Sequence, residues 1–196
     1  EILNQDGTLY TTNLRSALQA DTYTLRGTGT TETYEPRFTY HGFRYVEVTG
    51  GTVDSLEGRE VSSDLPDYGT FTSSNSLVNQ IQSAIRWGQR SNFLGVPSDA
   101  SQRDERLGWT GDIQAFASTG AFNEDASGFL GQWMQTMRDS QTAAGAFPDV
   151  APVTCCGEGT AGWGDAGTVV PWALYRRYGD PRVLQANYDA MTRWIA

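Results

Sequence analysis

Four carboxylates, two arginines and a tryptophan crowd into residues 92–112, and no other part of the chain is so rich in side chains able to do chemistry. The densest part reads Pro97-Ser98-Asp99-Ala100-Ser101-Gln102-Arg103-Asp104-Glu105-Arg106-Leu107-Gly108-Trp109-Thr110-Gly111-Asp112. A second glycine-rich stretch, 143–164, runs out through Gly162-Trp163-Gly164 into Asp165. Carboxylates beside tryptophan suit the hydrolysis of a glycosidic bond. One carboxylic acid must stay protonated near neutral pH to give its proton to the leaving oxygen, and an apolar wall moves it toward that range. A second carboxylate activates water on the other face of the sugar. In an inverting reaction the two stand roughly 6.5–9.5 Å apart, which leaves room for the water. Flat indoles receive the C–H faces of a sugar, while Asp and Arg bind its hydroxyls. The crowding of Asp104 and Glu105 with Arg103 and Arg106 can also drive neighbouring carboxyls apart in acidity. The same residues can equally form a salt-bridged structural turn, and the composition of the loop does not choose between the two.

Such loops need elements to hold them. Residues 1 to about 70 read as β. Asp6-Gly7 is a turn signal before Thr8-Leu9-Tyr10-Thr11-Thr12, and Thr22-Tyr23-Thr24-Leu25 is a second short strand. Phe38 through Val48 is aromatic and β-branched, broken at Gly42 and closed by Gly50-Gly51. Glu1-Ile2-Leu3 reads as the middle of a strand. Short strands separated by turn signals indicate a sandwich.

The period changes near residue 70, after the linker-like Asp64-Leu65-Pro66-Asp67-Tyr68-Gly69. Ser73, Ser74 and Asn75 offer N-caps for a helix whose inward stripe is Leu77, Val78, Ile81, Ile85 and Trp87. A second helix begins near Asp112 with Ile113, Phe116 and Ala117 inward. A third carries Phe129, Trp133, Met134 and Met137. A fourth starts at Asp165 with Val169, Val170, Trp172 and Leu174, and a fifth follows Gly179-Asp180 with Pro181 in its first turn. Trp87, Trp133, Trp172 and Trp194 lie in these helical patterns and read as packing residues. Long connections such as 92–111 and 143–164 are usually functional.

Composition excludes several classes. The net charge is -9, and all 14 basic residues are arginine. Phosphate binding wants a basic face, so nucleic acid is not the expected partner. No stretch approaches the roughly 18 apolar residues of a membrane span. The adjacent Cys155 and Cys156 pair only with strain and are too few for a structural zinc site. One histidine, His41, makes no metal site and reads as packing or hydrogen bonding. No metal and no cofactor are expected. Neither localisation nor redox compartment follows. Both ends look cut, which leads to the expectation of a longer natural protein.

The string from Pro97 to Asp112 resembles the signature of glycoside hydrolase family 78, the bacterial α-L-rhamnosidases. Ala161-Gly162-Trp163-Gly164-Asp165, with Val170-Pro171-Trp172 and Tyr178-Gly179-Asp180, resembles that family too. So does Tyr34-Glu35-Pro36-Arg37-Phe38-Thr39-Tyr40-His41-Gly42-Phe43-Arg44-Tyr45, and more weakly Asp6-Gly7-Thr8-Leu9-Tyr10. The resemblance implies an antiparallel β-sandwich portion, drawn here as 1–69, followed by the first helices of an (α/α)6 barrel, 70–196, truncated. It implies removal of terminal α-L-rhamnose from glycosides or polysaccharides by single displacement. Glu105 falls at the general acid; Asp99 and Asp112 fall at carboxylates that bind rhamnose hydroxyls; Arg103 falls at a sugar-contacting arginine; Trp109 and Trp163 fall at aromatic walls. The family's general base, a glutamate, lies beyond the end of this chain, so the fragment alone is expected to be inactive. Ala100-Ser101 stands where the family commonly has Cys-Pro, and this touches no assigned role.

Each assignment has a structural alternative: a salt bridge with Arg103 or Arg106 for Glu105, a turn cap for Asp99, an N-cap for Asp112, core packing for Trp109 and Trp163. Asp165 reads as helix cap or site residue, and Glu158 as an outside candidate for a substitute base. Two rival functions stand beside the leading one: a non-catalytic carbohydrate-binding module, and an (α/α)6 glycosidase of other specificity.

Overall fold

The computed structural model describes residues 2–196, so Glu1, read above as strand, lies outside the described residues. The chain divides into two compact units, Glu1–Val61 with Ser101–Arg106, and Ser62–Ala100 with Leu107–Ala196.

The larger unit is helical. Its elements are α1 (Ser76–Asn92), β1 (Phe93–Leu94), β2 (Val96–Pro97), α2 (Thr110–Asn123), α3 (Ser127–Asp139), α4 (Ala166–Tyr178) and α5 (Arg182–Ile195). Asn75 caps α1, its side chain accepting from the Leu77 N–H at 2.9 Å. Helix α4 packs against α2, α3 and α5. Ile113, Ala117, Leu130, Trp133, Met134, Met137, Phe147, Val170 and Leu174 form one buried cluster. Full burial stabilises each large apolar side chain by about 1.5–3 kcal/mol. The stripe expected on α3 is therefore its core face, and Ile113 and Ala117 do the same for α2. Leu65 packs against this cluster and the Tyr68 ring meets Tyr178 edge-on, which draws residues 62–69 to the helices.

Most of the expected core stripe of α1 and half of that of α4 point outward instead. Leu77, Val78, Ile81 and Trp87 on α1 are exposed, as are Val169 and Trp172 on α4. The inward side of α1 is polar: Gln89 is buried and donates to the buried Glu124, whose other oxygen accepts from Arg90 Nε at 3.1 Å. An apolar stripe shows that a helix has a face needing an apolar partner, and it does not name that partner. Trp87 and Trp172 are thus surface residues here, whereas Trp133 is buried and Trp194 packs partly against the core.

The smaller unit departs from expectation more sharply. Its described residues contain a single 3-10 turn, Thr12–Leu14, and an isolated bridge between Leu3 and Leu9. Thr22–Leu25 and Phe38–Val48 form no ladder, so the expected antiparallel sandwich is not seen among the described residues. A strand exists only where a neighbour satisfies its backbone groups. Leu25, Phe38, Phe43, Val46 and Val48 are exposed, consistent with segments that have sandwich-like sequences and no paired neighbour here.

Candidate functional site

In the helical unit the two long loops are pinned together. Trp109 forms an antiparallel bridge with Val150, Thr110 N–H donates to the Asp149 carbonyl at 3.0 Å, and Ala151 N–H donates to the Gly108 carbonyl at 2.9 Å. A Cβ on residue 108 would stand 2.2 Å from the Ala151 carbonyl oxygen, so only glycine fits. The second loop is itself a hairpin: Pro148 bridges Glu158, and Asp149 and Gly159 N–H groups donate to the Gly157 and Phe147 carbonyls. Cys155 and Cys156 form a disulfide at its tip, so the neighbouring thiols do pair.

This pairing sets Trp109 immediately before α2 and Asp112 in its first turn, where a helix N-terminus favours a carboxylate. Trp163 arrives from the other loop. Its N–H donates to the Thr160 carbonyl at 3.1 Å, and its indole lies on Gly111, with Nε1 3.0 Å from where a Cβ would sit. Two of the expected aromatic walls and one expected sugar-binding carboxylate are therefore gathered at one helix end. Trp109 is half-buried, Trp163 and Asp112 are exposed, and none belongs to the buried core.

Asp99 has a visible structural task. Its N–H donates to the Leu107 carbonyl at 3.0 Å, and its Oδ1 accepts from the Leu107 N–H at 2.9 Å. It closes the neck from which residues 101–106 leave the helical unit. Asp165 precedes α4 without capping it by its side chain: Oδ2 accepts from the Gly162 N–H and Oδ1 from the Trp194 indole. Glu158 serves the hairpin through its backbone.

Glu105 belongs to the smaller unit. Its side chain is 18% exposed, and its Oε2 lies 2.5 Å from Arg103 Nη2 and 2.9 Å from Arg15 Nη1. The expected salt bridge with Arg103 is present, and Arg15 is a partner that no sequence pattern announced. Arg106 turns elsewhere, donating to the Arg103 and Tyr40 carbonyls and lying over the Tyr40 ring. The Ser16 hydroxyl donates to Asp104 and holds that carboxyl below its usual range. His41 meets Asp21 at 2.9 Å, the hydrogen bond expected of it.

Asp149 also escaped the sequence reading. Its carbonyl accepts from both the Thr110 N–H and hydroxyl, and its Oδ2 accepts from the Thr160 hydroxyl at 2.8 Å. It thus ties the base of Trp109 to the turn that presents Trp163. A cleft of about 530 Å³ elsewhere in the unit, lined by Arg138, Tyr178, Asp180 and Asn187, takes in none of the candidate residues.

Residues 66–196 match the bacterial α-L-rhamnosidase 6 hairpin glycosidase domain, and residues 1–64 match the bacterial α-L-rhamnosidase concanavalin-like domain. An α-L-rhamnosidase of Streptomyces avermitilis is 54% identical over 200 residues, covering 100% of this chain and 19% of that protein. One from Formosa agariphila is 46% identical, covering 100% of this chain and 22% of its own length. Among solved structures, the Streptomyces avermitilis α-L-rhamnosidase complexed with L-rhamnose superposes with a TM-score of 0.94 at 52% identity, over 99% of this chain and 19% of that one. The α-L-rhamnosidase of Dictyoglumus thermophilum does so with a TM-score of 0.90 at 39% identity, over 100% of this chain and 22% of that one. The chain spans about a fifth of the length of the curated relatives it matches.

Proposed function

The chain belongs to the bacterial α-L-rhamnosidases, and from that membership we propose that it forms part of a glycoside hydrolase removing terminal α-L-rhamnose with inversion. Its organisation would be the β-sandwich portion and the first helices of an (α/α)6 barrel, the domains drawn above at 1–69 and 70–196. Glu105 is the general acid. Its carboxyl proton passes to the glycosidic oxygen as the bond from that oxygen to the anomeric carbon breaks. Water adds to that carbon from the opposite face and gives its proton to a glutamate supplied from outside these 196 residues. Asp99, Arg103 and Asp112 bind sugar hydroxyls, and Trp109 and Trp163 face the apolar side of rhamnose.

One observation carries this reading: the gathering of Trp109, Trp163 and Asp112 at the first turn of α2 by backbone pairing between two loops. A structural turn has no need of two indoles outside the core beside a carboxylate. Burial would hide them, and a sugar face explains their position.

The test is Glu105→Gln in the full-length protein. Turnover of an alkyl rhamnoside, whose leaving group needs a proton, is expected to fall by roughly 10²–10⁴-fold. Wild-type product is expected to appear first as the β-anomer by NMR. Undiminished turnover in the variant, or a retained anomer, sinks the proposal; rhamnose binding without any wild-type turnover would mark a binding module. The 196-residue chain by itself is expected to show little or no turnover.

A further inference from the structure

The smaller unit holds its acidic segment in an unusual way. Segment 12–19 reaches residues 102–105 through three side chains: Arg15 to the Glu105 carboxylate, the Ser16 hydroxyl to Asp104, and the Gln19 amide to the Gln102 carbonyl. The buried Leu14 anchors the turn from which they project. Arg15 itself sits at φ 57° and ψ -119°, a backbone conformation that costs energy at any residue but glycine. Its guanidinium side chain is 56% exposed, and exposed ion pairs add little to stability. Stability alone therefore does not account for an arginine at this position. What the arginine gains is a fixed direction for one carboxylate oxygen: Arg15 and Arg103 converge on the same atom, Oε2 of Glu105.

We infer that Arg15 is a positioning residue for the acid, setting the Glu105 carboxyl in the orientation from which it protonates the leaving oxygen. This rests on the reading of Glu105 as general acid. The guanidinium acts on the carboxyl rather than on the sugar. Its removal lowers the rate of leaving-group departure and leaves sugar binding largely unchanged. The strained backbone at residue 15 supplies a variant that separates this role from folding. Arg15→Gly removes the guanidinium and relieves the left-handed conformation together.

The experiment compares Arg15→Gly, Arg15→Lys and Glu105→Gln in the full-length protein, on methyl rhamnoside and on a dinitrophenyl rhamnoside whose leaving group needs no proton. Arg15→Gly is expected to unfold at or above the wild-type temperature. Its kcat on the methyl glycoside should fall by about 10²-fold, the scale of a misplaced catalytic group. Its kcat on the dinitrophenyl glycoside should fall far less, with KM nearly unchanged on both. Arg15→Lys should recover part of the loss. An equal loss on both substrates, a loss confined to KM, or no loss overturns the inference. Glu105→Gln keeps the two questions apart: if its loss shows no leaving-group dependence, the assignment of the acid fails, whatever Arg15 does.

Discussion

The two units hold their candidate residues by different physics. In the helical unit Trp109, Asp112 and Trp163 stand on backbone pairing and close packing, over a core of large buried side chains such as Trp133, Phe147 and Leu130. In the smaller unit Leu14 is the one buried apolar residue among those described, and Glu105 is held by two guanidinium contacts, with the Ser16 hydroxyl on the neighbouring Asp104. Walls that receive a sugar face need a fixed shape, which dense packing supplies. Polar partners instead fix the direction of a single side chain, as Arg15 and Arg103 do by meeting at one carboxylate oxygen of Glu105.

The contrast breaks most visibly at its extremes. Trp133→Ala empties the centre of the helical core and leaves the Ala151 carbonyl without its indole donor. We expect a cost of about 3–5 kcal/mol, seen as a lower urea midpoint. Leu14→Ala should cost clearly less and act locally, raising hydrogen exchange around residues 12–19; equal costs would erase the distinction. Gly108→Ala comes next. Its new Cβ meets a backbone oxygen that cannot swing aside, for about 1–3 kcal/mol. Because it parts the two loops, rhamnose affinity in the full-length protein should fall with stability. Asp149→Ala is milder, about 1 kcal/mol for the lost Thr160 hydrogen bond. Its mark should be altered tryptophan emission on adding rhamnose, and an unchanged response would remove Asp149 from the support of Trp163.

The sequence makes some of this readable and hides the rest for physical reasons. Four helices of the larger unit are visible in the sequence as apolar stripes and the fifth through Gly179-Asp180 and Pro181 at its start, and on α3 the stripe also identifies the core. On α1 it identifies an apolar face that is exposed, because period reports the shape of a face and not what covers it. In the smaller unit alternation and turn signals describe strands in sequence, but pairing is a property of neighbours, and Phe38–Val48 has none among the described residues. The carboxylates and tryptophans are legible as a set because they crowd two loops. Their supports are not. Arg15 lies 90 positions before Glu105, and nothing local marks it. Asp149 acts mainly through its carbonyl, which every residue possesses. Gly108 and Gly111 were the available signal: glycines flanking a tryptophan, where another chain segment comes too close for a Cβ.

The smallest effect concerns an ion pair in the helical unit. Asp180 accepts from the Arg182 N–H and guanidinium at the start of α5, and that arginine holds its carboxyl down at about 2 from an ordinary 3.8. A carboxyl depressed in the folded state binds fewer protons there than in the unfolded chain. Its contribution to stability is therefore full above about pH 4 and fades as the pH falls through about 2. The pair lies at the surface, where solvent screens it, so the effect is slight. Asp180→Asn should lower the melting temperature a little above about pH 4, and the gap from wild type should close toward about pH 2. A gap that persists unchanged into acid would mean that the side chain acts through its shape at the α4–α5 turn and not through charge. The helical unit would then owe nothing measurable to this ion pair, and the division between a packed unit and a charge-held one would be sharper still.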